Sequence, residues 1–336
     1  MEKKKRKSGG SALVRFIDRV FGLIVATVIV GVVFGLTLEW ILVKGPSPAL
    51  RDSFVMTMMW TRRFDFIPQI FLTQEETDTI FNDHWSINNT EATDTSLITV
   101  KASQPKSGEE SGPQADDYGY IDEDGDGIII VDVKKKGFVG KPEVYGGYGL
   151  TLDELAKRYD ALGGVNGGGF YDPEGGGTGG YPDGLTVVGG EIFHEGNSTR
   201  TFCGLDKNNI LHVGDYDSDE AVEDGIRDGV SFGPALIING KGEYGNHMES
   251  GINPRTAVGQ RADGAILLLA IDGRQVHSIG ASFGDARDVM LDFGAVNACN
   301  MDGGSSTVMY YEGEYINSPS SASGTSRALP DAWLFK

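Results

Sequence analysis

Cysteine is nearly absent from this 336-residue sequence, with only Cys203 and Cys299 present. Two cysteines permit one disulfide or two buried thiols, and they exclude a cysteine-rich metal centre. Histidine is scarce as well. His194, His212 and His277 fall in or near strand-like segments, where a ring serves local hydrogen bonds, while His84 and His247 flank loops. None has a partner at metal-ligand spacing, so no bound metal is expected. The phosphate-binding fingerprints are missing too. There is no GxxxxGK[ST], and no G-x-G-x-x-G joins a strand to a helix, which argues against a nucleotide-binding fold and leaves no cofactor to expect. Positive charge is the last shortage. Lys and Arg total 29 against 48 Asp and Glu, a formal charge of −19. Eight of those basic residues stand in residues 1–44 beside three acidic ones, so the remainder is more acidic than the total implies. Such a surface repels nucleic acid and anionic lipid, and no nucleic-acid partner is expected.

What is present begins with one long apolar run. Lys3-Lys4-Lys5-Arg6-Lys7, with Arg15 and Arg19, precedes an uncharged stretch over 20–38 that continues past Glu39 through Trp40-Ile41-Leu42-Val43. That is about the ~20 residues needed to cross a bilayer. It is longer than a signal-peptide core and has no small-x-small cleavage site. The basic flank predicts a cytoplasmic tail over 1–19, a transmembrane signal anchor over 20–43, and everything beyond outside the cell membrane. Pro46 and Pro48 stop the helix. Residues 44–85 read as a helical juxtamembrane stalk with a Thr73/Glu76 capping box and a helix ending near Phe81. Residues 86–117 are Ser, Thr, Asn, Asp and Gly with few large apolar groups, the composition of a flexible linker. Asn88 and Asn197 open N-x-[ST] sequons.

Residues 118–336 carry the globular domain. The sequence has 49 glycines, and they cluster between Gly163 and Gly190 without a period, which excludes collagen and solenoid repeats. Asp122-Glu123-Asp124-Gly125-Asp126-Gly127 lacks the bidentate acid of a calcium loop and runs into Ile128-Ile129-Ile130-Val131, so it reads as a turn before a strand. Thr151 and Glu154 cap a helix to about Asp160. Leu185-Thr186-Val187-Val188 and Glu191-Ile192-Phe193 form a hairpin about Gly189-Gly190, and Ala235-Leu236-Ile237-Ile238 is a buried strand. A second hairpin is expected between 265–271 and 275–279, turned at Asp272-Gly273, with Arg274 beyond it a solvated surface charge. Residues 283–293 have helical spacing ahead of Gly294, and Ala332-Trp333-Leu334-Phe335 is a final strand. Strands outnumber helices and are not interleaved in a βαβ rhythm. The expected fold class is therefore α+β: a single strand-rich mixed domain with a few helices, preceded by one transmembrane helix.

The stretch Asn297-Ala298-Cys299-Asn300-Met301-Asp302-Gly303-Gly304-Ser305-Ser306-Thr307 stands out, with a helix-like segment entering it and a strand-like run leaving. It sets a carboxylate, two glycines and three hydroxyls where a packed core wants apolar groups. Alone it is a tight turn. Other punctuated motifs accompany it: Asn166-Gly167-Gly168-Gly169-Phe170, Asn253-Pro254-Arg255-Thr256-Ala257-Val258-Gly259, Ile271-Asp272-Gly273-Arg274, and Asn317-Ser318-Pro319 with Arg327. Together, in this order over about 119–336, they resemble the phosphodiester glycosidase family, which includes membrane-anchored bacterial members associated with exopolysaccharide.

The resemblance implies hydrolysis of a sugar-1-phosphodiester at the glycosidic bond. The residues suit that chemistry. An anionic substrate needs local cations in so acidic a protein, and Arg255 and Arg327 are the candidates. Backbone N–H groups at Gly303, Gly304 and Ser305, with the Ser305 and Ser306 hydroxyls, would cradle the phosphate. A phosphate leaving group needs little protonation, so a carboxylate that activates water or attacks the anomeric carbon is the main requirement. Asp302 is the first choice and Asp272 the second, although Asp-Gly is also a common hairpin turn. Asn166 would contact sugar hydroxyls, with Gly168 beside it in the substrate site. The substrate so implied is a phosphate-linked glycan of the cell wall or an exopolysaccharide. A non-catalytic module that binds and helps assemble such a glycopolymer, or a phosphodiesterase that cuts P–O, are the competing readings.

Overall fold

The computed structural model describes residues 12–61, 64–85, 91–100, 118–122, 128–133, 137–140, 147–172, 176–196, 200–245, 248 and 251–335. The basic run 3–7, both sequons, the 123–127 turn, residues 101–117 of the expected linker, His247 and the His84 side chain lie outside what it describes.

Helix α1, Ala12–Lys44, is apolar along its length, and Phe21, Leu23, Val30 and Phe34 among others are fully displayed. It is long and apolar enough to cross a membrane. A buried core helix is excluded by that exposure. Pro48 does not merely stop α1. It takes the first position of α2, Pro48–Trp60, where a missing N–H costs nothing, and Ser47 caps the helix by accepting from Leu50 N. Helix α3, Gln74–Trp85, starts at the expected capping box, with Thr73 Oγ1 accepting from Glu76 N and Glu76 from Thr73 N. It runs four residues past the expected end. Val43, Val55, Leu72 and Ile80 form one apolar cluster that ties the three helices together.

The described part of the expected linker departs from its composition. Residues 91–100 lie against the domain: Asp94 N donates to Asn239 Oδ1 at 2.7 Å, Val213 N to Thr93 Oγ1 at 2.9 Å, and Thr99 N to Ala262 O at 2.8 Å. The segment's backbone N–H groups and the Thr93 hydroxyl, which read as solvated, instead pair with the domain.

The domain is strand-rich with few helices, as expected, and its three main sheets are antiparallel. The largest has the order β1-β2-β15-β14-β16-β12-β13. In chain order these are β1 Tyr118–Asp122, β2 Ile128–Val133, β12 Ala235–Ile238, β13 Lys241–Gly242, β14 Arg255–Arg261, β15 Ile266–Ile271 and β16 Ala295–Asn300. The second, β10-β9-β11-β7-β8, holds β7 Thr186–Val188, β8 Glu191–His194, β9 Thr201–Asp206, β10 Leu211–Gly214 and β11 Ile226–Phe232. The third, β18-β17-β5-β19-β3, holds β3 Gly137–Gly140, β5 Gly163–Asn166, β17 Met309–Tyr311, β18 Glu314–Tyr315 and β19 Ala332–Phe335. A short ribbon pairs β4, Gly147–Tyr148, with β6, Gly179–Gly180. The central core lies where the sheets meet and joins Val165, Leu205, Val230, Val258, Leu268, Cys299, Met309 and Trp333. Helix α6, Phe283–Asp292, covers the outer face of the first sheet through Phe283, Ala286 and Met290. Helix α4, Leu152–Arg158, covers the third, and α5, Ser218–Glu223, packs Ala221 against Val187, Phe202 and Ile226 of the second.

Two local expectations are corrected. The hairpin partner of β15 is β14, not 275–279, with Arg255 opposite Ile271. Residues 275–279 form an irregular loop that displays Val276 and Ile279 to solvent. The approach to Asp302 is also not a helix-to-strand turn: α6 ends, Gly294 takes φ 81°, and β16 intervenes as a central strand.

Candidate active site

Register decides which residues meet. Strand β14 is antiparallel to both β15 and β16, so its first residue, Arg255, lies at the edge where those two strands end. Ala257 faces Asn300 in the same way. The chain leaving β16 therefore delivers Asp302 beside Arg255, and the chain leaving β15 delivers Arg274. Strand β5 ends at this edge too, between the starts of β17 and β19. The convergence encloses a pocket of ≈ 330 Å³. Asp302, Arg255, Arg274, Arg327, Gly303, Gly304, Ser305 and Ser306 line it, with Asp172, Arg200, Asn253, Phe170 and Phe232.

Asp302 is held from behind. Its N donates to Gly167 O at 3.1 Å, and Asn166 Nδ2 donates to its carbonyl at 2.6 Å. Its Oδ1 accepts from Gly303 N at 2.9 Å. Burial pushes the Asp302 carboxyl above its usual range, and the Ser306 hydroxyl, the Arg327 charge and the Gly303 N–H offset part of that rise. Three guanidiniums surround it. Arg255 is buried, donates to Ala281 O at 3.0 Å and to Gly251 O, and lies over the Phe283 ring at 3.8 Å. No carboxylate among the described residues pairs with it. Burial, then the nearby Arg274 charge, lowers its pKa to about 9. Arg327 donates to Asp172 Oδ2 at 2.8 Å and Ser305 Oγ at 3.3 Å, and lies 4.7 Å over Phe170.

Arg274 is not the solvated charge expected of it. Its stem is exposed, but Nη2 donates to Asn253 Oδ1 at 2.8 Å and the guanidinium lies against Gly304. Gly304 has φ 61°, and a Cβ there would stand 3.1 Å from Arg274 Nη2. Glycine is thus required twice over, by the backbone and by the cation. Burial lowers the Arg274 pKa while the Asp302 charge raises it. The two groups sense each other, and both line the pocket.

Three expected site residues have other occupations. Asn166 is fully buried with both ends bonded: Oδ1 accepts from Thr256 Oγ1 at 2.7 Å and Val308 N at 3.1 Å, and Nδ2 holds Asp302. It positions the carboxylate's backbone and, fully buried, does not line the pocket. Gly168 packs under the pocket; a Cβ there would meet Ser231 O at 2.9 Å. Its neighbour Gly169 is the one that lines the cavity. Asp272 stands outside. Both its oxygens accept from Ser318 N at 3.0 Å, Oδ1 also from Asn317 Nδ2 at 3.0 Å, and Oδ2 meets His277 Nε2 at 3.1 Å. It ties the end of β15 to the loop after β18. The phosphate cradle is narrower than expected as well. The Gly303 N–H and the Ser306 hydroxyl serve Asp302, and the Gly304 N–H donates to Pro254 O at 3.0 Å, which leaves the Ser305 N–H and hydroxyl.

Asp331 was not singled out by sequence. It is buried; Oδ1 accepts from Gly168 N at 2.6 Å, and Oδ2 has no partner. Burial pushes its pKa up to about 7, the Gly168 N–H opposes this, and the Asp302 charge adds to it. Gly167 accommodates this carboxyl, since a Cβ there would lie 2.2 Å from Asp331 Oδ1. Asp172, Arg200 and Asn253 were missed too. Only Asn253 lay within a quoted motif. No cluster of three or more metal-ligating side chains occurs among the described residues.

A family model for phosphodiester glycosidases matches residues 159–336. The SPbeta prophage-derived uncharacterized protein YomE of Bacillus subtilis (strain 168) is 28% identical over 192 residues, which cover 54% of this chain and 29% of that protein. Among solved structures, the catalytic domain of zebrafish N-acetylglucosamine-1-phosphodiester alpha-N-acetylglucosaminidase, auto-inhibited by its pro-peptide, superposes with a TM-score of 0.53 at 21% identity, covering 65% of this chain and 81% of that one. A hypothetical protein from Synechocystis gives 0.52 at 14% identity, covering 65% and 61%. At these identities the structural matches speak for the fold.

Proposed function

The chain belongs to the phosphodiester glycosidase family, and on that premise we propose that it hydrolyses the glycosidic C–O bond of a sugar-1-phosphodiester. The observation that carries the reading is the buried Asp302 carboxylate in a pocket of ligand size that Arg255, Arg274 and Arg327 also line. Arg274 and Arg327, with the Ser305 hydroxyl and N–H, take the phosphate and stabilise the charge that gathers on it as the bond breaks. Arg255 adds a fixed positive field from below. Asp302 either removes a proton from water as it attacks the anomeric carbon or attacks that carbon itself and is then released by water. Either way the C–O electron pair leaves with the phosphate, the sugar gains a hydroxyl, and a phosphomonoester remains on the acceptor. Asn166 and Asp331 set the carboxylate from behind. Helix α1 spans the cell membrane with its basic flank in the cytoplasm, so the pocket works outside on a phosphate-linked glycan of the cell surface.

Hydrolysis of a glycosyl phosphodiester in ¹⁸O-water tests this. Label appearing in the free sugar supports C–O cleavage. Label in the phosphate would instead establish the P–O phosphodiesterase, and tight binding without turnover the non-catalytic module.

A further inference from the structure

The helices after the apolar span lie outside the family match, which begins at residue 159, yet they close one side of the pocket. Met59 of α2, Thr61 just beyond it and Phe81 of α3 line the cavity with Asp302 and Arg274. The joint is bonded: Ile252 N, three residues before Arg255, donates to Thr57 Oγ1 at 3.1 Å. Phe81 directly follows Ile80, which shares a cluster with Val43 near the end of α1. Packed helices run ~8–10 Å from axis to axis, so this wall lies about one helix diameter from the end of the span. Met59 and Phe81 have little to offer a hydroxylated sugar or a phosphate by way of hydrogen bonds. A hydrocarbon chain laid against them would gain about 25 cal/mol per Å² covered. The pocket thus joins a cationic floor to an apolar wall that is continuous with the membrane helix.

We propose that α2 and α3 form the aglycone side of the site, and that the substrate is a glycosyl phosphodiester carried on a membrane lipid. Its phosphate meets Arg274 and Arg327 while the first carbons of the lipid chain lie against Met59 and Phe81. This rests on the reading of the pocket as a glycosyl-phosphodiester hydrolase and of α1 as a membrane span.

The full-length protein in lipid vesicles tests it with two substrates that share one sugar-1-phosphate. One is esterified to a long-chain alcohol in the bilayer, and the other to methanol. In Met59→Ala and Phe81→Ala, the ratio of kcat/KM for the lipid-carried over the methyl substrate should fall about tenfold. Equal losses on both substrates, or no change, would overturn the proposal, because the helices would then be mere packing. A second measurement does not need turnover. In Phe81→Cys, the introduced thiol should react with a maleimide at least fivefold more slowly when the lipid-carried diester is present, and at an unaltered rate with the methyl diester. Unequal protection alongside absent hydrolysis would sink the hydrolase reading while keeping the lipid site. Equal labelling rates would sink the lipid site even in an active enzyme.

Discussion

Strands β15 and β16 flank β14, run out on the same edge of the seven-stranded sheet, and are each followed by an Asp-Gly step. Asp272 is met by a backbone N–H, a side-chain amide and an imidazole. Asp302 is met by the next residue's N–H and a serine hydroxyl, and otherwise faces three arginines across a cavity. The same dipeptide is a strut in one place and a reactive group in the other. The difference is how many donors the rest of the chain brings to each carboxylate. A saturated carboxylate is spent on holding its neighbours in place. One that is buried with fewer donors is raised in basicity and available.

The open half of this comparison should break first and hardest. Asp302→Asn is expected to lower kcat/KM at least a thousandfold, on the order of 4 kcal/mol in the barrier. Its melting temperature should stay near wild type, because a buried charge has been removed rather than a packing group. Wild-type-like rates from that variant would take Asp302 out of the mechanism. Asp331 sharpens the same half. Its folded pKa, about 7, stands above the 3.8 of a free carboxyl. The folded state therefore binds the extra proton, and that contribution to stability is full below pH ~4 and lost as pH rises through 7. The shift corresponds to on the order of 4 kcal/mol. Denaturant midpoints at pH 5 and pH 8 should show wild type losing stability at the higher pH. In Asp331→Asn, which keeps an oxygen for the Gly168 N–H, most of that loss should vanish. An undiminished pH dependence would mean that other carboxyls carry it.

Much of this was legible where the rules are local. The cap at Thr73, the Gly189-Gly190 hairpin, α6 with its glycine stop and the last strand all follow from turn chemistry and hydrophobic period. Strand β16 was hidden because two of its residues, Asn297 and Asn300, are buried polar groups. Asn297 bonds Asn239 N and Leu211 O, and Asn300 bonds Gly233 O, so each serves neighbouring backbone rather than breaking the strand. The false hairpin had the opposite cause: Asp272-Gly273 carries a strong turn signal, but β15 already has its hairpin partner in β14. Asp331 has no local signal at all. A carboxylate one residue before a strand is ordinary until Gly167 and Gly168 fold over it. Arg274 lay within a quoted motif but was read as a surface charge, and its guanidinium instead lies against the left-handed Gly304.

The closed half should fail in stability instead of rate. Asp272→Asn places an NH₂ where an oxygen accepted donors, and charge-assisted bonds at a buried site are worth about 1.5–3 kcal/mol. A loss of roughly 2 kcal/mol is expected in the unfolding midpoint, with hydrolysis within about tenfold of wild type well below that midpoint. A thousandfold loss of rate in a folded Asp272→Asn protein would erase the distinction between the two carboxylates.

The smallest effect isolates one spoke of the Asp272 hub. His277 Nε2 approaches Asp272 Oδ2 at 3.1 Å, but the His277 side chain is 43% exposed, unlike the buried carboxylate it meets. Water can take over that contact, as it cannot for the buried Asn317 amide. An exposed pair of this kind contributes ~0–1 kcal/mol and is screened by salt. His277→Ala should therefore shift the unfolding midpoint by less than about 1 kcal/mol, with rates unaltered. Asn317→Ala should cost more than His277→Ala, because Asn317 also accepts from Met309 N at 2.8 Å and joins Asp272 to β17. If His277→Ala proves the more damaging of the two, the hub is held together from its exposed side, and the account of Asp272 as a buried strut is wrong.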